Sequence, residues 1–149
     1  MYIELVAMLE NLEGVRQDPT YHPEGDALFH SLQVFERALA DDASGSLLAA
    51  ALLHDVGKAV AGYEHAEAGA GLLSGLMPSE ATWLVQHHMD LQRSRKSTLA
   101  RWHGTKQGKA LTQLHRYDQR GRELHASVRS IEEAVSIVLE SLEDERHEA

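Results

Sequence analysis

The run Leu47-Leu-Ala-Ala-Ala-Leu-Leu53 carries no polar side chain on any face. A helix that is apolar all round has to be buried, with other helices packed around it. Directly after it come His54 and Asp55, followed by Val56-Gly57-Lys58. Histidine offers an imidazole nitrogen and aspartate two oxygens, so a central helix that ends in this pair points to a metal site in the interior. The chain contains no cysteine, which leaves only nitrogen and oxygen donors for such a site. Its 149 residues are enough for one domain, residues 1–149, with a real core.

The periodicity around that helix is helical nearly throughout, and an all-α, single-domain bundle is expected. Helices are predicted over 2–13, 27–41, 46–56, 64–76, 80–89, 94–102, 106–120 and 127–143. Asp26 is positioned to cap the second, whose Leu28, Leu32, Phe35 and Leu39 share one side. Gly57 reads as the stop of the third. The last has the apolar stripe Ile131, Val135, Val138 and Leu142. Gln17 to Asp26, with two prolines and a glycine, reads as a structured loop. The metal-site core is expected over about 15–122, with the amphipathic helix 127–143 following it.

Further ligand-type side chains lie on four other predicted helices: His30, His65, the adjacent His87 and His88, and Asp118. A bundle can aim such groups at one interior point. Burying Asp55 and Asp118 together is costly unless a cation offsets their charge. His103, His125 and His147 sit in polar surroundings and are expected on the surface.

Charge is strongly segregated. Residues 1–92 carry a balance of −11, residues 93–122 a balance of +8, and residues 123–149 a balance of −6. The one acid of the basic stretch is Asp118, which suggests that this stretch guides an anionic substrate. Lys58, Arg95, Arg116, Arg120 and Arg122 are candidates for phosphate contacts, since guanidinium suits bidentate recognition. Tyr21 and Glu24, in the loop six residues or more before His30, are candidates for a lid over the site. The net charge of −9 opposes non-specific nucleic-acid binding, so no nucleic-acid partner is expected. No apolar run reaches the roughly 18–20 residues of a membrane span, so no membrane partner is expected, and the acidic N-terminus lacks a signal-like basic head. A cytoplasmic protein is the expectation, with a homodimer through the last helix left open.

His30, the adjacent His54-Asp55 and the distant Asp118 resemble the signature of the HD-domain superfamily of metal-dependent phosphohydrolases. Leu52-Leu-His-Asp-Val-Gly-Lys58 looks typical of it. Gln17 to Asp26 with His30-Ser-Leu, and Leu111 to Arg122, look most similar to the HD domain of bacterial CCA-adding tRNA nucleotidyltransferases. These 149 residues show no nucleotidyltransferase half, so tRNA synthesis is not expected to carry over. The resemblance implies a stand-alone phosphomonoesterase or phosphodiesterase acting on a nucleotide or other small phosphoester through a metal-activated water. It implies one or two divalent ions (Mn, Fe, Co, Ni, Zn or Mg) on His30, His54, Asp55, His65, His87 and Asp118. Asp55 would be the bridge, with His88 either replacing His87 or serving the substrate. Catalytic roles then fall to Asp55, Lys58 and His88, with His115 a second candidate for protonating the leaving group. Some HD-domain proteins are instead mixed-valent diiron oxygenases that act on a phosphonate or polyol-like substrate, and Tyr21, Glu24 and Gln33 look similar to features of that group. An HD fold kept only for binding is the third reading.

Overall fold

The computed structural model describes residues 1–148, and every regular element among them is helical, as the periodicity predicts. The helices are α1 Tyr2–Glu10, α2 Ala27–Ala40, α3 Gly45–Leu53, α4 His65–Leu73, α5 Ser79–His87, α6 Asp90–Arg93, α7 Arg95–Trp102, α8 Lys106–Arg120 and α9 Ile131–Glu148. A 3-10 turn, Val56–Ala59, joins α3 towards α4. No helix among the described residues is long and apolar enough to cross a membrane.

The apolar α3 is the axis of the molecule. Leu48, Leu52 and Leu53 are almost wholly buried, and α2, α5, α8 and α9 all pack on it. Each such leucine contributes about 1.5–3 kcal/mol of burial. A surface on every side is what lets one helix end collect side chains from four neighbours.

Local chemistry sets where the flanking helices begin. Asp26 caps α2, its Oδ1 accepting from the amides of Leu28 at 2.8 Å and Phe29 at 3.1 Å. Its second oxygen accepts from Gly14 at 2.6 Å, tying the preceding loop to the same residue. Thr105 caps α8 by accepting from the Gly108 amide at 3.0 Å. The last helix begins at 131 rather than the expected 127 because Ser130 and Glu133 form a reciprocal cap. The Glu133 amide donates to the Ser130 hydroxyl at 3.2 Å, and the Glu133 carboxylate takes the Ser130 hydroxyl at 3.1 Å. The stripe of α9 lies on α1 and α3, with Ala134, Val135 and Val138 buried. The apolar stripe of the last helix is thus covered within the chain.

Gly57 does not stop α3, which has already ended at Leu53. Its lack of a side chain serves a close approach instead. A Cβ there would lie 1.9 Å from the His65 carbonyl oxygen and 2.6 Å from the Gly69 nitrogen. This contact presses the turn after α3 against the start of α4, which brings Asp55 and His65 together.

Candidate metal centre

Five elements meet at the C-terminal end of α3. His30 comes from the first turn of α2, His54 and Asp55 follow α3, His65 opens α4, His88 follows α5, and Asp118 lies near the end of α8. All six are buried. The carbonyl ends of α3 and α5 point the negative poles of their dipoles towards this cluster, which favours a cation there.

Each of the four histidines is fixed by a hydrogen bond from Nδ1 to a backbone carbonyl. His30 donates to Gly121 at 2.8 Å, His54 to Ala51 at 3.0 Å, His65 to Gly62 at 2.9 Å and His88 to Val85 at 2.7 Å. With Nδ1 protonated and engaged, Nε2 presents a lone pair to the interior. The Nε2 of His54 is buried with no hydrogen-bond partner. The Nε2 atoms of His65 and His88 face each other at 3.2 Å. Two lone pairs that close require a proton or a cation between them.

The two oxygens of Asp55 divide the cluster. Oδ2 lies 3.3 Å from His54 Nε2 and 3.8 Å from His30 Nε2, and Asp118 Oδ1 completes this side at 2.8 Å from His30 and 3.6 Å from His54. Oδ1 lies 3.3 Å from both His65 Nε2 and His88 Nε2. An orphaned imidazole nitrogen, facing lone pairs and two buried carboxylates fit a divalent cation, and the cluster is able to hold one. The all-nitrogen-and-oxygen set accepts several first-row metals as well as harder ions.

The electrostatics say the same. Burial opposes charge on His54, but Asp55 and Asp118 outweigh it and push its pKa up to about 10. Burial likewise works against the Asp55 carboxylate, yet His54 and Lys58 hold its pKa well below the usual range. Asp118 is held down in the same way, by His30 and His54 against burial. Burial leads in lowering His88. Positive charge is what this cluster lacks, and protons on its histidines supply it when a metal does not.

His87 lies outside the cluster, contrary to the expected ligand set. Its Nδ1 pairs with Asp90 at 2.7 Å and its ring stacks on Trp83 at 4.5 Å. His88 stands where His87 was expected. The buried face of α5 runs Ala81, Leu84, Val85, and one more turn reaches residue 88 rather than 87. That spacing was readable in the sequence.

The other candidates divide into rim and periphery. Lys58 reaches Asp55 Oδ2 at 3.1 Å and also donates to Gln17. Arg122 lies on the rim, its Nε donating to the Asp118 carbonyl at 3.2 Å and its terminal nitrogen to the Tyr21 carbonyl at 2.9 Å. The Tyr21 side chain itself is exposed, so this residue holds the rim through its backbone. Glu24 is buried beside His30, at 3.8 Å from its Nδ1, and accepts from His22 at 2.8 Å. Because that Nδ1 already donates to Gly121, the His22–Glu24 pair braces the His30 ring. Gln33 bonds both ways to the Glu123 backbone, at 2.8 and 2.9 Å, and so clamps α2 to the chain after α8, away from the ligands. Arg116 lines a groove between α7 and α8, and Arg95 and Arg120 are exposed on those helices, so none of the three touches the cluster. His115 is half-buried one turn before Asp118, its Nδ1 without a partner.

Comparison with known proteins agrees with the geometry. The HD domain family matches residues 28–146, a span that includes all six clustered residues. The chain belongs to the HD domain family, the superfamily of metal-dependent phosphohydrolases that its motifs resemble. It is also similar to proteins named Multifunctional CCA protein. That of Halorhodospira halophila is 46% identical across 44% of this chain and 17% of its own length. That of Methylococcus capsulatus is 40% identical across 46% of this chain and 18% of its own length. The chain spans less than a fifth of the length of these curated relatives.

Proposed function

We propose that the chain acts as a single-domain, metal-dependent phosphohydrolase in the cytoplasm, releasing phosphate or opening a phosphodiester on a nucleotide or other small phosphoester. The observation that carries this reading is the division of Asp55: Oδ2 faces His30, His54 and Asp118, and Oδ1 faces His65 and His88. One cation would be held by His30, His54, Asp118 and Asp55, and a second by His65, His88 and Asp55. A divalent ion in such a place supplies Lewis acidity towards water and towards phosphoryl oxygens.

The remaining work falls to this chain's own groups. His30, His54, His65 and His88, each held in one tautomer by a carbonyl, orient their donors without rearrangement. Lys58 is partly exposed beside Asp55 and can turn its ammonium to a phosphoryl oxygen. Arg122, anchored by the Asp118 and Tyr21 carbonyls, presents a planar donor at the mouth. Burial, then the charges of Arg95 and Arg122, lower the His115 pKa against the pull of Asp118. His115 is therefore neutral at neutral pH and serves as a hydrogen-bond partner to substrate rather than as a strong acid.

The test is a panel of nucleoside monophosphates, 2′,3′-cyclic phosphates and small phosphoesters with Mn, Co, Ni, Zn and Mg. Phosphate release or diester opening with at least one ion is expected. A silent panel, with bound iron and oxygen uptake on a phosphonate, would replace the hydrolase reading with that of a diiron oxygenase.

A further inference from the structure

The helices that flank Asp118 carry far more positive charge than the metal centre uses. Arg95, Lys96 and Arg101 lie on α7, and Lys106, Lys109, Arg116 and Arg120 on α8, all exposed. Among the described residues none of them forms an ion pair, whereas their neighbours Arg93 and Arg122 pair with Glu67 and Asp118. Neither helix has an acid apart from the buried Asp118. In a chain of net charge −9, seven unpaired cations on two adjacent helices form a local field of the opposite sign. Such a surface repels itself unless an anion covers it.

Between these helices runs a groove of about 430 Å³. Its floor is apolar, from Leu91, Leu99 and Leu111, and Lys109 and Arg116 stand on its α8 wall. Trp102 closes one end. It is half-buried and packed edge-on against Trp83 at 5.0 Å, with the Arg101 guanidinium over its ring at 5.4 Å. Gly108 fixes this end, because a Cβ there would lie 2.2 Å from the Trp102 carbonyl oxygen. The groove thus joins a cationic wall to a rigid aromatic side chain.

We propose that the α7–α8 groove binds single-stranded nucleic acid, with phosphates on Lys109, Arg116 and their neighbours and an unpaired base against Trp102. A cationic track with an aromatic platform is the combination by which proteins hold single strands without reading sequence. A peptide of acidic residues alone would use the cations but has no flat ring to set against the tryptophan. The net charge of −9, from which no nucleic-acid partner is expected, averages over the whole chain and hides this local reversal of sign. Binding here does not depend on the hydrolytic reading, since it is measured without turnover.

The experiment is fluorescence polarisation of a labelled twelve-nucleotide oligothymidylate with the full chain, titrated across salt from about 50 mM upward. Binding at low salt is expected, with a log–log salt slope of about −2 to −3 for three or four phosphate contacts. The double variant Lys109→Glu/Arg116→Glu should bind at least about tenfold more weakly and with a shallower slope. Trp102→Ala should lose about tenfold with the slope unchanged. Circular dichroism and metal content show that each variant is folded. No binding at low salt would overturn the proposal, as would a folded double variant that binds like the parent. A labelled twelve-residue polyglutamate bound as tightly, with Trp102→Ala indifferent to both probes, would also overturn it in favour of an acidic protein partner.

Discussion

Gly57→Ala should cripple the metal centre without touching a ligand. The new Cβ would stand 1.9 Å from the His65 carbonyl oxygen and 2.6 Å from the Gly69 nitrogen, both backbone atoms. Relief to an ordinary contact of about 3.4 Å needs a displacement of more than about 1 Å between the turn after α3 and the start of α4. Overpacking of this kind costs about 1–3 kcal/mol, and backbone neighbours place it at the upper end. For a chain of this size each kcal/mol moves the midpoint by about 2–4 °C, so thermal unfolding should fall by roughly 6–12 °C. His65 moves with α4, and its 3.3 Å approach to Asp55 Oδ1 goes with it, so the variant should also bind less metal. Gly71→Ala is the control. That glycine lies in α4 with nothing within 4 Å of its Cβ position, and the change should raise the midpoint by about 1–3 °C. Thermal melts by circular dichroism, with elemental analysis of the same samples, read both effects. A Gly57→Ala protein that melts within a degree of the parent and keeps its metal would refute the close approach.

Other consequences are equally direct. His88→Ala should lose metal while His87→Ala retains it, because His87 gives up only its Asp90 pair and its stacking on Trp83; elemental analysis of both variants decides. Metal affinity should rise with pH by up to about tenfold per unit, up to about pH 10, because a cation must displace the proton that Asp55 and Asp118 hold on His54; titration calorimetry in several buffers would show that proton released. The metal-free protein has its own pH profile. The His54 pKa is raised on folding, so its contribution is complete below about 6.5 and fades as pH climbs through about 10. Asp55 and Asp118 are lowered, so theirs is present above about 3.8 and lost in acid; chelator-treated protein melted across pH should be most stable between these limits.

Features set by near neighbours were legible before the structure. An apolar run with no polar face could only be central, and α3 is. Asp26 could cap the helix after it, and does. His30, His54, Asp55, His65 and Asp118 meet because each lies at or near a helix end that α3 gathers. The choice between His87 and His88 was also legible, in the stripe Ala81, Leu84, Val85, whose next turn falls on residue 88. Gly57 was misread because its partner, the His65 carbonyl, belongs to another helix and leaves no mark in local sequence. Charge alone makes Arg116 a candidate for phosphate contacts beside Asp118, whereas the pitch of α8 turns it into the groove. The groove itself depends on the short α6 and on Gly108 meeting Trp102, neither of which a charge count contains.

Each oxygen of Asp55 faces its own set of ligands, and a count of bound metal tests whether the residue joins the two. Parent protein and a folded Asp55→Ala variant, each loaded with manganese or nickel and freed of excess, should be compared by elemental analysis. Up to two ions per chain are expected in the parent and none firmly held in the variant, since the first set loses Oδ2 and the second loses its only carboxylate oxygen. A folded variant that keeps the parent's full complement would contradict it.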